Sequence, residues 1–243
     1  MRRAAWLAAL PAAALLFWAA RDLPPLGDPD SPASLHVSPR YIESARAETG
    51  ADNMVTAVLA DYRGFDTLGE TLVVFAAGIA CVLLLLGGHA TAERRPAPAA
   101  FGSPVLDAAV RLLTPFLMLF AAYVLAHGHD SPGGGFQGGA VLAGALILVR
   151  LVHGREVAWG LSPEAAIALA CGGALLYAGI GAAALAFGGS YLDYSALPLP
   201  GAGAAKRALS TLVIEASVFI AVTGVLSLIF YCLAPVTDDD AAA

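Results

Sequence analysis

Charge is scarce in this chain. Only 13% of its 243 residues are Asp, Glu, Lys or Arg, against 58% hydrophobic residues and a mean hydropathy of +0.74. A soluble domain carries about 25% charged residues, so the polar surface that a water-exposed globule needs is missing. Cysteine is scarce too: Cys81, Cys171 and Cys232 each sit inside an apolar run, and there is no C-x-x-C pair. That argues against a tightly bound metal held by this chain alone and leaves the thiols as small buried hydrophobes. No basic patch with interleaved aromatics points to nucleic acid as a partner. Nucleophile elbows, phosphate loops and zinc signatures are also missing, so no catalytic residue is expected.

What the chain has instead is apolar length. Six runs stand out, Ala4–Ala20, Thr71–Gly88, Pro104–Ala126, Gly138–Val152, Pro163–Phe187 and Ala208–Leu233. A run of about 20 apolar residues crosses a bilayer as a helix. The expected fold is therefore an all-α polytopic membrane protein with about six transmembrane helices, two plus four, and the lipid bilayer is its first partner. The first run follows Met1-Arg2-Arg3. "LLFWAARDLPP" offers a poor small-residue cleavage site, so it is read as a retained signal anchor with a cytoplasmic N-terminus, in the inner (cytoplasmic) membrane. Loop charges divide almost evenly: Arg94, Arg95, Arg150 and Arg155 inside, Arg40, Arg46, Arg63, Lys206 and Arg207 outside.

The polar, Pro/Ala-rich "TAERRPAPAAFGS" reads as a linker over 91–103. It divides the chain into a two-span module, residues 1–90, and a four-span module, residues 104–235, with an acidic tail at 236–243. Between the first two spans the proline-rich stretch Pro24–Pro39 is expected to be extended rather than folded.

Five side chains are candidates for an ion path. "NMVTAVLADYRGFDTLGE" runs from Asn53 to Glu70, and Asn53–Ala60 is short enough to be an interfacial helix. Asp61, Arg63, Asp66 and Glu70 then gather charge at the mouth of the second span. Two readings stand for Glu70: an ion or proton site where acids are costly to retain, or one half of a Thr67-x-x-Glu70 capping box. Glu215, in "STLVIEASVF", lies about seven residues inside the last run, where a carboxylate points to function or to a protonated acid bonding a neighbouring helix. Arg111 enters from the opposite side and is read as snorkelling outward rather than pairing with it. His127 and His129 suit a proton relay by their near-neutral pKa; plain interfacial placement and a haem pair are the other readings.

Between the third and fourth runs lies "GHDSPGGGFQGG", Gly128 to Gly139, with five glycines in the seven residues 133–139. A turn needs one or two. Gly138–Val152 is also only 15 residues, roughly 22 Å of helix against a core of about 30 Å. The loop is therefore expected to dip into a protein-lined interior or to pack tightly, with Gly135, Gly139 and Ala143 forming a flat helix face.

At these residues the chain resembles known proteins. "GHDSPGGGFQGGAVLAGALIL", the upstream "RLLTPFLMLFAAYVLA" and, less specifically, "LVIEASVFIAVTGVLSLIF" resemble the MnhB (MrpB) component of Mrp-type sodium/proton antiporters. "DLPPLGDPDSP" through "NMVTAVLADYRGFDTLGE" resembles the MbhE component of membrane-bound hydrogenases, which corresponds to the C-terminal end of the large antiporter subunit. The resemblance implies a non-catalytic membrane subunit of a multi-subunit cation-translocating complex, carrying no cofactor itself and serving transport of Na+ and/or H+. Its partners would be other antiporter subunits, in a stand-alone antiporter or in one joined to a hydrogenase or related oxidoreductase. Carried over, Asp66 and Glu70 would face the ion, while Pro132, Gly133, Gly134, Gly135 and Phe136 would shape the loop. A scaffold that only packs larger subunits together is the alternative from another class.

Overall fold

The computed structural model describes residues 2–86, 103–153 and 161–233, with side chains for 9–85, 103–153 and 161–233. It is all-helical, with no strand among the described residues. Most of the linker 91–103, the tail 236–243 and Arg94, Arg95 and Arg155 lie outside the described residues.

Two compact units divide the chain, Met1–Glu43 and Ser44–Ala243. The first holds α1 (Arg2–Ala20), followed by turns and a π-helical turn over Ala33–Val37 that leads into α2 (Ser38–Thr49). Pro24–Pro39 is therefore not extended. Asp28 accepts from the Asp30 amide at 2.9 Å, and Ser34 donates to the Asp28 carbonyl at 3.1 Å. Short polar side chains thus satisfy the backbone locally, which favours turns over polyproline geometry.

In the second unit, α3 (Met54–Thr56) continues as a π-helix over Ala57–Tyr62 and leads into α4 (Gly64–Cys81), which runs on to Leu86 as a further π-helix. Four long helices follow: α5 (Pro104–Ala126), α6 (Gly135–His153), α7 (Pro163–Ala186) and α8 (Gly203–Leu233). Ser103 and Ser162 cap α5 and α7, each accepting at 3.1 Å from the third amide onward, and a proline fills the first helical position. Among the described residues five helices, α4 with its π-helical extension (Gly64–Leu85) and α5 to α8, are long and apolar enough to cross a membrane.

α8 is the axis of the bundle. It packs along α6 and α7, while α4 leans on α7 and α8, and α5 joins through α6. Small residues permit this. A Cβ at Gly173 would lie 2.6 Å from the Ser217 carbonyl oxygen, and one at Gly224 would lie 2.6 Å from that of Ala166, so backbones meet with no side chain between them. Along α7 a Cβ at Gly173 would meet the backbone of α8 and one at Gly181 the Tyr191 ring, whereas nothing lies within 4 Å of a Cβ at Gly172 or Gly179. Leu68, Tyr177, Tyr194, Ile214, Val218 and Val222 fill the core between α4, α7 and α8. Large apolar side chains on α4 and α5, among them Val73, Leu84, Phe116 and Leu119, stay exposed.

Candidate functional site

α5 ends at Ala126 and the chain turns through residues 127–134 before α6 begins at Gly135. α6 is thus 19 residues long, about 28 Å at 1.5 Å per residue. The 15-residue span read from composition is too short because Gly135–Gln137 resemble loop, and the length argument for a dipping loop falls away. Tight packing is what the glycines provide. Gly134 takes φ of +131°, a conformation that disfavours any side chain, and a Cβ there would lie 2.8 Å from Glu215 Oε2. A Cβ at Gly135 would overlap the Glu215 carbonyl oxygen; at Gly138 and Gly139 it would sit 2.9 Å from the Ala121 and 2.7 Å from the Phe219 carbonyl oxygens. The start of α6 is wedged between α5 and α8, backbone against backbone.

Glu215 is the side chain this wedge serves. α8 starts at Gly203, so Glu215 lies twelve residues inside it rather than seven, about 18 Å along the axis. Its carboxylate accepts a hydrogen bond from the Gly135 amide, the first residue of α6. Free amides and the positive dipole end make a helix start a favourable seat for a carboxylate. Its chemical capability follows: a partly buried acid beside bare backbone can take up a proton or offer oxygens to a cation.

The loop is fastened from the other module. Asn53 donates from Nδ2 to the Gly128 and Ser131 carbonyls at 2.9 and 2.8 Å, and its amide donates to the His129 carbonyl at 2.8 Å. The buried Thr56 hydroxyl adds a bond to the Gly128 carbonyl at 2.6 Å. Pro132 is exposed on this loop and Phe136 on the first turn of α6, so Phe136 does not belong to the loop, whereas Gly134 and Gly135 are buried. His127 is exposed, with its ring stacked on Tyr123 at 4.1 Å, and His129 has Nε2 3.4 Å from Asp130. The two imidazoles thus serve separate partners. Among the described residues no group of three His, Cys, Asp or Glu is placed to hold a metal.

The remaining candidates lie elsewhere. Asp66, in the first turn of α4, pairs with Arg63, and Glu70 is exposed one turn later. Neither takes part in the Glu215–Gly135 contact. The capping-box reading of Glu70 is overturned: α4 starts at Gly64 after Arg63, so Thr67 is inside the helix and its hydroxyl donates to the Leu59 carbonyl at 2.7 Å. Arg111 pairs with Asp107 one turn earlier at 2.9 Å.

Sequence reasoning leaves one arrangement unassigned. Asp61, its side chain 1% exposed at the end of the π-helix, is ion-paired with Arg207 near the start of α8. Arg207 belongs to a helix, not to a loop. Burial pushes the Asp61 carboxyl above the ordinary carboxylate range, and the Arg207 guanidinium pulls the other way. Beside it, Tyr194 donates to the Ala60 carbonyl and Tyr177 to that of Gly64, both at 2.7 Å. The two hydroxyls thus tie the end of the π-helix and the first residue of α4 to α7 and to the chain that follows it. An acid inside the apolar "AVLADY" is the one visible signal.

Comparison with known proteins gives two family matches in tandem: MbhE, a component of MBH, over residues 30–105, and a domain related to the MnhB subunit of Na+/H+ antiporter over residues 105–228. The "B" component of the Na(+)/H(+) antiporter of Bacillus subtilis is 29% identical over 123 residues, 50% of this chain and 85% of that protein. The "A/B" component of a probable K(+)/H(+) antiporter of Rhizobium meliloti is 31% identical over 137 residues, 48% of this chain but 14% of that much longer protein. An uncharacterized protein of Methanocaldococcus jannaschii is 31% identical over 176 residues, 66% of each chain. Among solved structures, a chain of the membrane-bound sulfane sulfur reductase, an archaeal respiratory membrane complex, superimposes with a TM-score of 0.67 at 31% identity, covering 96% of this chain and 99% of that one. A chain of the Mrp complex from Dietzia sp. gives 0.64 at 26%, covering 98% of this chain and 26% of that one. With its second match spanning half of the sequence and the apolar helices to go with it, this multi-pass membrane protein belongs to the MnhB-related family of antiporter subunits, fused behind an MbhE module.

Proposed function

We propose that this chain is a non-catalytic membrane subunit that helps form the ion path of a multi-subunit cation/proton antiporter of the Mrp type. The observation that carries the reading is the Glu215 carboxylate, deep in an apolar span, seated on the first amide of α6 where glycines clear the space around it. A scaffold has no need of an acid at that depth, where a charge is costly. The ions are Na+ and/or H+ (K+ in the Rhizobium relative's name), and no cofactor is assigned to the chain. Asp66 and Glu70, exposed on α4, are read as path residues that face a neighbouring subunit, and His127 and His129 as groups at its mouth. α1 is inferred to be a sixth span, with the N-terminus cytoplasmic and the complex in the inner membrane.

A second reading places the same module in a respiratory oxidoreductase. The near-complete overlap with a chain of the sulfane sulfur reductase complex favours it, and a hydrogenase-type partner belongs to the same class. The test common to both is Glu215→Gln in the assembled complex, with sodium- and potassium-driven proton exchange followed in everted vesicles and the abundance of the chain measured alongside. Loss of exchange at normal abundance is expected. Wild-type exchange removes Glu215 from the path and with it the observation that carries this reading.

A further inference from the structure

The loop that presents Gly135 to Glu215 accepts side-chain hydrogen bonds from two residues of the other module, Asn53 and Thr56. We infer that Asn53 is a positioning residue, setting through the backbone of Gly128 and Gly134 the distance between the Gly135 amide and the Glu215 carboxylate. This rests on the reading of Glu215 as an ion-path residue. Each step has its contact. Asn53 holds three carbonyls of one turn, those of Gly128, His129 and Ser131, within 2.8–2.9 Å, while its Oδ1 caps α3 by accepting from the Val55 amide at 3.0 Å. Thr56 fixes the same Gly128 carbonyl from one turn along. Gly128 in turn touches Gly134: a Cβ on Gly128 would lie 2.8 Å from both the Gly134 amide nitrogen and its Cα. Gly134 is anchored on its other side by its amide, which donates to the Val124 carbonyl at 3.1 Å. The next amide along is the one bonded to Glu215.

No side chain stands anywhere in that sequence of contacts between Gly128 and Gly135. Rotamers therefore cannot absorb a displacement; movement at Gly128 passes to Gly135 through covalent backbone and close contact. The arrangement also explains why an amide side chain is used. Only Asn or Gln offers two donors and an acceptor at once, and the shorter Asn fits the N-cap position. The N-terminal module thus controls the geometry of an acid in the C-terminal module, which gives their fusion a physical use.

Asn53→Asp separates positioning from mere bracing. It keeps size, cap and the backbone bond to His129, but removes both Nδ2 donors and sets an acid against two carbonyl oxygens. The assay is cation-driven proton exchange in everted vesicles carrying the whole complex, titrated with sodium or potassium chloride, whichever the wild type exchanges. Expected is normal abundance of the chain, a half-saturating cation concentration raised about three- to tenfold, and a largely retained maximal rate. Thr56→Val, which removes one of the bonds to Gly128, should move half-saturation the same way by less, and it serves as the arm if Asn53→Asp does not assemble. Asn53→Asp combined with Gly134→Ala should be less than additive, since both act on one displacement. Unchanged half-saturation in both single variants, or full additivity in the double, overturns the inference. Because Glu215→Gln is scored separately, loss of exchange there with silent Asn53 and Thr56 variants rejects the positioning alone, whereas normal exchange from Glu215→Gln rejects the site itself.

Discussion

Adding one methyl group at Gly135 should do more harm than almost any other change of that size. Its Cβ would overlap the Glu215 carbonyl oxygen and lie 2.8 Å from the carbonyl carbon, both backbone atoms in the middle of α8. Neither can rotate away, so α6 must shift bodily. Overpacking a tight interface costs about 1–3 kcal/mol, and the lost bond from the Gly135 amide to a carboxylate adds about 1.5–3 kcal/mol, together roughly 3–6 kcal/mol. Against a whole-protein stability of about 5–15 kcal/mol, that is a large fraction. Gly172→Ala is the control, because nothing lies within 4 Å of its Cβ position and alanine favours helix over glycine by about 0.5–1 kcal/mol. The assay is the chain's abundance in membranes and the midpoint of thermal aggregation of the solubilised complex. Gly135→Ala should lower both, whereas Gly172→Ala should leave them equal or slightly raised. A Gly135→Ala complex as abundant and heat-resistant as wild type would refute the packing argument.

Three further outcomes follow from the other contacts. Asp61→Asn strips the partner from Arg207; removing one member of a buried pair costs about 3–5 kcal/mol, and because Arg207 remains 31% exposed the loss should fall at or below the lower end, with Asp61→Asn/Arg207→Gln recovering part of it in the same thermal assay. Tyr177→Phe removes the hydroxyl that donates to the buried Gly64 carbonyl, a bond worth about 0.5–1.5 kcal/mol; unchanged thermal stability would mean that the bond contributes nothing. Glu70→Gln should leave abundance untouched, since the side chain is exposed and caps nothing, yet abolish cation-driven exchange if Glu70 faces the path; normal exchange would remove it from the candidates.

Apolar runs of spanning length decide that the chain is a helical membrane protein, because an unpaired backbone cannot be solvated in lipid. Composition and run length carry that information residue by residue, and it is legible without coordinates. So are the starts of α5 and α7, where Ser-Pro supplies cap and first turn locally. The glycine cluster is legible as a demand for bare backbone, but not what demands it. That depends on which helix lies opposite, and only the packed bundle places the Glu215 backbone over Gly135. The same holds for Asp61 and Arg207, 146 residues apart, and for Asn53 with the turn 75–78 residues further on. Helix starts slip for a different reason: Gly135–Gln137, Gly203–Arg207 and Gly64–Glu70 are too polar or too glycine-rich to count toward an apolar run, and hydropathy marks the stretch that suits the bilayer rather than the residue at which a helix begins. Sequence settles what is solved by one residue and its near neighbours; a close approach between two backbones is a property of the pair, and only tertiary structure decides it.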